Sequence, residues 1–352
     1  MKSYTKHSGP GGLEPGRINP DTTPLLEVSN LRTYYKTGGG WFGRGAQWLK
    51  AVDDVSFTIR RGETFGLVGE SGCGKSTLGR SILRLERPQS GQILFEGEDL
   101  VTLPRQRLKR VRRDIQAIFQ DPFGSLDPRM TVRQVIAEGL IVQGLLSRDE
   151  RDARIEQLID VVGLRREHLG RYPHEFSGGQ RQRIGIARAL ALRPKFVLAD
   201  EPVSALDVSV QSQVLNLLAD LQREFGLTYL FIAHDLSVVE YISDRVGVMY
   251  LGRMVEFATA EQLYDDPRMP YTRALLSATP GSERTTGRKR IVLTGDVPSP
   301  IEPPSGCPFR TRCWLAEDVC AAERPELREV APAHFAACHF ADDPARLART
   351  PG

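Results

Sequence analysis

The sequence predicts an α/β fold built around a phosphate-binding loop, and three observations carry that reading. Between Leu25 and about Met249, short apolar strands alternate with amphipathic helices, the pattern of a sheet covered by helices. One strand runs straight into Gly69-Glu70-Ser71-Gly72-Cys73-Gly74-Lys75-Ser76, which fits G-x-x-x-x-G-K-[ST]. A second apolar run, Phe196 to Ala199, ends on two adjacent carboxylates, Asp200 and Glu201.

The elements follow in order. Glu63 to Gly69 reads as a buried strand, and a helix starts near Lys75. Gln92 to Gly97 is a short strand closed by glycine. Ile155, Leu158, Ile159 and Val162 lie on one face of a helix over 154–163. Val210, Val214, Leu217, Leu218 and Leu221 mark another helix, and Thr228 to Ala233 is another buried strand. Beyond Tyr264 the texture changes. Gly281 to Arg290 is polar and linker-like, and Pro298 to Pro308 contains five prolines. These shifts place a boundary between about 258 and 290.

In the loop, glycines let backbone N–H groups close around phosphate oxygens, and the helix N-terminus adds positive potential. Lys75 reaches the β- and γ-phosphates, and the Ser76 hydroxyl suits Mg²⁺. Ser71, Gly72, Cys73, Gly74 and Thr77 complete this cradle; Cys73 reads as a tolerated small residue. Asp200 suits the metal, and Glu201, one step further, suits polarising an attacking water. Phe176-Ser177-Gly178-Gly179-Gln180-Arg181-Gln182-Arg183 is a second glycine-rich helix start, with Ser177 as N-cap. One γ-phosphate does not need two such sites in one chain; two chains packed head to tail use both.

FSGGQRQR resembles the signature motif of ATP-binding cassette (ABC) ATPases. In that resemblance, which spans about 25 to 260, Gln120 in IFQDP is the Q-loop glutamine, Ser204 to Asp207 the D-loop, and His234 in FIAHD the switch histidine. It implies that Gln120 and His234 sense the γ-phosphate and that Gln120 joins Ser76 and Asp200 at Mg²⁺. It also implies that Ser177, Gly178, Gly179, Gln180 and Asp207 act on the nucleotide of a partner cassette, and that Tyr35, with Tyr34 as its rival, stacks on adenine. The implied fold is a RecA-like core with an antiparallel β subdomain and a helical subdomain at about 121–190.

Five cysteines are present, and Cys307-x5-Cys313-x6-Cys320-x17-Cys338 gathers four of them late in the chain. The gaps exceed those of zinc knuckles and miss the common ferredoxin runs, so spacing alone gives a metal or a cluster. The segments SGCPFRTRCWLAEDVCAAERPEL, Pro270 to Leu276 and Gly295 to Pro300 resemble the C-terminal domain of ATPase subunits from oligopeptide and dipeptide ABC importers, the F-type in particular. That resemblance implies a [4Fe–4S] cluster on the four thiols, with zinc as runner-up. It also implies a related D-type ATPase partner, two membrane permease subunits, a solute-binding protein acting indirectly, and a place on the cytoplasmic face of the membrane. The expected layout is a tail at 1–24, a nucleotide-binding domain at 25–265 and a small Cys-bearing domain at 266–352.

Composition bounds the alternatives. The 352 residues carry 47 Lys+Arg and 44 Asp+Glu, a net +3, with 40% hydrophobic residues. That balance demands no nucleic-acid partner. No run approaches the 18 apolar residues of a membrane helix; Ile136 to Leu146 is short and contains Glu138. The basic run over 105–113 reads as a solvated helix face, and Trp41, Phe42 and Trp48 sit in a Gly-rich insertion at 38–50 without a stated role. Nickel or oligosaccharide import, and a soluble ATPase acting on nucleic acid or the ribosome, are the other readings. The single cassette and the absence of sustained heptads count against the soluble ATPase.

Overall fold

The computed structural model describes residues 23–38, 47–121, 124–144, 146–278 and 290–349. All of the expected tail except 23–24, with Trp41, Phe42 and nearly all of the 281–290 linker, lies outside these residues.

Among the described residues, twelve strands form two sheets. The first is antiparallel, in the order β2 (Gln47–Arg60), β1 (Pro24–Thr37), β4 (Ser90–Phe95), β5 (Glu98–Asp99). The second has eight strands: β11 (Arg328–Ala331), β12 (His334–Ala336), β10 (Arg253–Thr259), β9 (Arg245–Tyr250), β3 (Thr64–Val68), β8 (Thr228–Ile232), β7 (Phe196–Asp200) and β6 (Ile115–Ile118). The run β9-β3-β8-β7-β6 is parallel throughout. All five residues of β3, of β7 and of β8 are buried, so these strands read as continuous apolar runs without alternation.

Parallel strands finish at one edge, and that edge collects the chemistry. Past β3 comes the loop at 69–74 and then helix α1 (Lys75–Ile82). Past β6 comes Gln120, past β7 Glu201, and past β8 His234. The α1 helix lies tight on the sheet: a Cβ at Gly79 meets Leu198 Cδ2 at 2.9 Å and Ile232 Cδ1 at 3.2 Å.

Between β6 and β7 lie the helices α3 (Val132–Gln143), α4 (Arg148–Val161) and α5 (Gly178–Leu190), within the stretch expected to be helical; α2 (Arg105–Asp114) precedes β6. α3, α4 and α5 all start on a reciprocal capping box, at Thr131/Gln134, Ser147/Glu150 and Ser177/Gln180. In α4, Ile155, Leu158 and Ile159 are buried, as the spacing predicts. α2 has no buried residue, in accord with a solvated basic face. α6 (Val208–Phe225) and α7 (Leu236–Ile242) follow β7 and β8. No helix among the described residues is long and apolar enough to cross a membrane.

The C-terminal part packs against the main sheet. After α8 (Ala260–Asp265) and α9 (Pro270–Ser277), the chain runs irregularly to α10 (Asp318–Ala322), β11, β12 and α11 (Pro344–Leu347). β12 pairs with β10 and so extends the main sheet. Cys307, Phe309, Cys320 and Cys338 belong to the same apolar cluster as the helical side of the cassette. Among the described residues this segment has no core of its own; it completes an edge that β10 leaves open.

Candidate active site

The phosphate loop is already folded around its lysine. Lys75 is buried, and its Nζ donates to Gly69 O at 2.7 Å and to Glu70 O at 3.1 Å. Two glycines are required by space as well as by backbone angle. A Cβ at Gly69 (φ +149°) falls 2.3 Å from Met249 O, and one at Gly74 (φ +108°) falls 2.0 Å from Ala51 O. Ser71 and Gly72 are exposed at the mouth, while Ser76 and Thr77 are half-buried on the first turn of α1. Cys73 is buried, with Sγ 3.9 Å from Lys75 Nζ, and burial raises its pKa. That fits the inert role expected of it.

Ser76 Oγ donates to Asp200 Oδ1 at 3.1 Å, bringing together two hard oxygen donors from loop and strand end. Burial holds the Asp200 carboxyl above its ordinary range, and the adjacent Glu201 adds to the effect. A buried carboxylate in this state gains from a cation, so these residues fit Mg²⁺. The remaining ligands of such an ion come from phosphate and water.

Glu201 sits at φ +46°, in the left-handed region that non-glycine residues avoid. Its N–H donates to Ile232 O at 2.9 Å, and its Oε2 accepts from Gln120 Nε2 at 2.7 Å and lies 3.4 Å from His234 Nδ1. Three strand ends thus converge on one carboxylate oxygen. The strained φ is one that the surrounding structure must hold in place, as at functional sites.

Ser177 is exposed at the start of α5; its hydroxyl accepts from Gln180 N–H, and Gln180 Oε1 accepts from Ser177 N–H at 3.1 Å. Gly179 is packed so closely that a Cβ meets Val210 Cγ1 at 2.4 Å. Asp207 is the exposed N-cap residue of α6. Among the described residues no hydrogen bond or ion pair joins 177–180 to 69–77. The two anion sites of this chain are separately built.

The two tyrosines part company. Tyr34 Oη donates to Asp53 Oδ1 at 2.5 Å, and Asp53 is also forked by Arg253; burial and that bond push the Tyr34 pKa up to about 12. Tyr35, its neighbour, pairs across the sheet with Leu49. Tyr34 is thus committed to the protein.

The thiol segment departs from expectation. Cys313 and Cys338 are pushed up to about 12, chiefly by burial, with the neighbouring thiols adding. Cys307 and Cys320 act on both, and Cys313 acts on Cys338, so the four sulfurs are near one another. Yet among the described residues no group of three or more His, Cys, Asp or Glu side chains is arranged to hold a metal ion. Neither the [4Fe–4S] cluster nor the zinc alternative finds a formed ligand set. Cys307, Cys320 and Cys338 are instead packed as small hydrophobes in the core.

Sequence reasoning missed one contact at this site. Arg312, from the thiol segment, forks onto Glu70 of the phosphate loop at 2.7 and 3.0 Å. The two residues are 242 apart in the chain, and no local pattern signals the pair.

Comparison with known proteins agrees with this geometry. The family model described as "ABC transporter" matches residues 52–204, and "Oligopeptide/dipeptide transporter, C-terminal region" matches 255–320. The chain is 55% identical over 319 residues to the oligopeptide transport ATP-binding protein AppF of Bacillus subtilis, covering 90% of this chain and 97% of that one. It is 50% identical over 322 residues to the dipeptide transport ATP-binding protein DppF of Haemophilus influenzae, covering 92% and 98%. Among solved structures, a dimeric post-hydrolysis state of the ATP-binding cassette MJ0796 bound to ADP and Pi matches with a TM-score of 0.60 and 30% identity, over 67% of this chain and 99% of that one. The fold, the strand-end carboxylates and these relatives together make the chain an ABC ATPase, and it belongs to the ATP-binding subunits of the oligopeptide and dipeptide ABC transporters.

Proposed function

We propose that this chain binds ATP with Lys75 and the loop N–H groups of 69–77, and hydrolyses it to drive import of di- or oligopeptides from the cytoplasmic face of a membrane. The observation that carries the hydrolytic part is the convergence of Gln120 and His234 on Glu201, one residue beyond the Ser76–Asp200 pair. Glu201 accepts the proton of the attacking water, His234 and Gln120 keep its carboxylate aimed, and Lys75 neutralises charge on the γ-phosphate. When bound, Mg²⁺ supplies Lewis-acid neutralisation of phosphate oxygens; Ser76, Asp200 and Gln120 are its protein ligands.

The cassette works as one of a pair. Ser177, Gly178, Gly179, Gln180 and Asp207 stand apart from this chain's own loop, which supports their action on a partner's ATP. The dimeric ADP-bound relative supports the same arrangement. F-type resemblance points to a related D-type chain as that partner. Tyr35, free of the bonds that hold Tyr34, stacks on adenine.

A groove of about 360 Å³ beside the Q-loop receives a permease subunit. It is lined by Leu85, Leu108, Phe119 and Val142, and Leu85, Phe119 and Val142 are exposed large apolar residues. Phe119 adjoins Gln120, so occupancy of the groove reaches Glu201 by one peptide link. An iron–sulfur cluster on the late cysteines is supported by the family resemblance and opposed by their arrangement; iron and zinc analysis of protein purified without oxygen decides it.

The test is co-expression with permeases and a D-type chain. The assembled complex turns over ATP and imports peptide, while the isolated chain binds ATP and hydrolyses it slowly. Full turnover by the isolated chain overturns the paired reading. Ser177→Arg leaves ATP binding at Lys75 intact and blocks hydrolysis at the partner's loop; loss of binding at this chain's own loop overturns action in trans.

A further inference from the structure

Glu70, the second residue of the phosphate loop, is fixed at three of its atoms. Its N–H donates to Tyr271 Oη at 2.8 Å, and its carbonyl accepts from Lys75 Nζ at 3.1 Å. Its carboxylate takes both arms of Arg312, Nη1 to Oε2 at 2.7 Å and Nη2 to Oε1 at 3.0 Å. The Arg312 side chain is only 8% exposed and that of Glu70 25%, so solvent and salt screen the pair weakly. Apart from Lys75, these fastenings come from outside the cassette motifs. Tyr271 is on α9, and Arg312 is on the turn between Cys307 and Cys313.

That turn is anchored independently of Arg312. Phe309, fully buried, sits edge-on to Tyr250 with centroids 5.4 Å apart and lies 5.3 Å from Tyr271. Cys307 N–H donates to Cys320 O at 2.8 Å. The fold of the segment therefore has its own apolar support, and the guanidinium is directed at the loop.

We infer that Arg312 is a positioning residue for ATP: through the Glu70 carboxylate it sets the Glu70 peptide that orients Lys75. The planar guanidinium fork fixes both carboxylate oxygens and thus the rotation of the side chain. With Tyr271 holding the N–H, the Glu70 carbonyl is held in line with the Lys75 ammonium, and the loop is pre-shaped for phosphate. Pre-shaping acts on affinity, because it removes ordering that binding otherwise must supply. It acts little on the chemical step, whose groups stand on β6, β7 and β8. The thiol segment and the phosphate loop are in this way coupled, so a displacement of the 307–313 turn is felt as a change in ATP affinity. This inference rests on the reading of residues 69–77 as the phosphate loop.

The experiment measures a fluorescent ATP analogue binding to the full chain, and KM and kcat for ATP in the assembled transporter. Arg312→Gln and Glu70→Gln each weaken ATP by about tenfold with kcat held within about twofold. The double variant is no worse than Arg312→Gln, which removes the fork together with the Arg312–Tyr250 bond. Arg312→Lys, which keeps the charge and loses the fork, recovers part of the affinity. Additive losses in the double variant, a change confined to kcat, or affinity unchanged in both singles overturns the inference. Should Arg312→Gln fail to fold, the isosteric Glu70→Gln decides alone by the same KM-against-kcat criterion. Lys75→Ala separates the two readings. If it leaves nucleotide binding intact, the phosphate-loop reading has failed; if it abolishes binding while the Arg312 and Glu70 variants bind normally, only the positioning role has failed.

Discussion

The loop at 69–76 and the segment at 307–338 both offer ligand groups from irregular, turn-rich chain, and the two reach different states. In the loop, Lys75 is buried and donates hydrogen bonds to two carbonyls, the glycines sit at positive φ, and Ser76 already meets Asp200. In the segment, four thiols are close and burial keeps Cys313 and Cys338 protonated, but no metal-holding geometry has formed among the described residues. The loop's donors are successive backbone N–H groups fixed by one local conformation, so folding the strand and helix builds the site. The segment's ligands come from separate turns, and side-chain sulfurs need something besides the backbone to bring them to one point. Preorganisation follows the source of the ligands.

Replacing the proposed base gives the largest effect. Glu201→Gln is expected to retain ATP and lower turnover by about 10²–10⁴-fold, the usual contribution of a general base. Phosphate release from the assembled complex measures it, and more than a tenth of wild-type activity removes Glu201 from that role.

Thiol reactivity sharpens the other side. With pKa values near 12, Cys313 and Cys338 alkylate at pH 8 about 100-fold more slowly than an ordinary thiol, with the rate rising as pH rises. Mass spectrometry of iodoacetamide-treated protein reads this. A rate independent of pH marks thiolates already held by a metal and breaks the contrast between the two regions.

Gly74→Ala attacks the loop through backbone alone. Its Cβ meets Ala51 O, so ATP affinity falls by about tenfold while thiol counts and helix content stay unchanged. Normal binding by this variant shows that the loop is less fixed than its packing.

The smallest effect concerns Asp244, which accepts from Thr64 N–H at 2.8 Å, where β3 begins on its way to the loop. Burial raises its carboxyl from 3.8 to about 6. The folded state then binds this proton more tightly than the unfolded chain, so its contribution to stability is present at low pH and lost as pH rises from about 4 to about 6. Asp244→Asn keeps an acceptor and removes that slope, raising stability at pH 7 by about 1–3 kcal/mol. Thermal melts across pH 4.5–7.5 check the difference; parallel pH profiles for the two proteins refute it.

Much of this molecule was legible in the chain. A strand, a glycine-rich turn and a helix are local events, so 63–82 could be read from residue types. The ends of β7 and β8 could be placed because apolar runs stop at charged residues, while Gln120 was placed only by the resemblance of IFQDP. Gln120, Glu201 and His234 are far apart in sequence, and only the parallel register of their strands makes them meet. The bond of Tyr34 to Asp53 also needed the strands' register, which no local pattern gives. The pairing of β12 with β10 was not legible either, because the Pro-rich chain before it carries no pattern that names a partner strand. The Glu70–Arg312 pair was invisible for the same reason. A sequence records periodicity and turn chemistry, which act over a few residues. Which distant surfaces close on each other depends on the area and charge they bury together, and that is set only when the whole chain has folded.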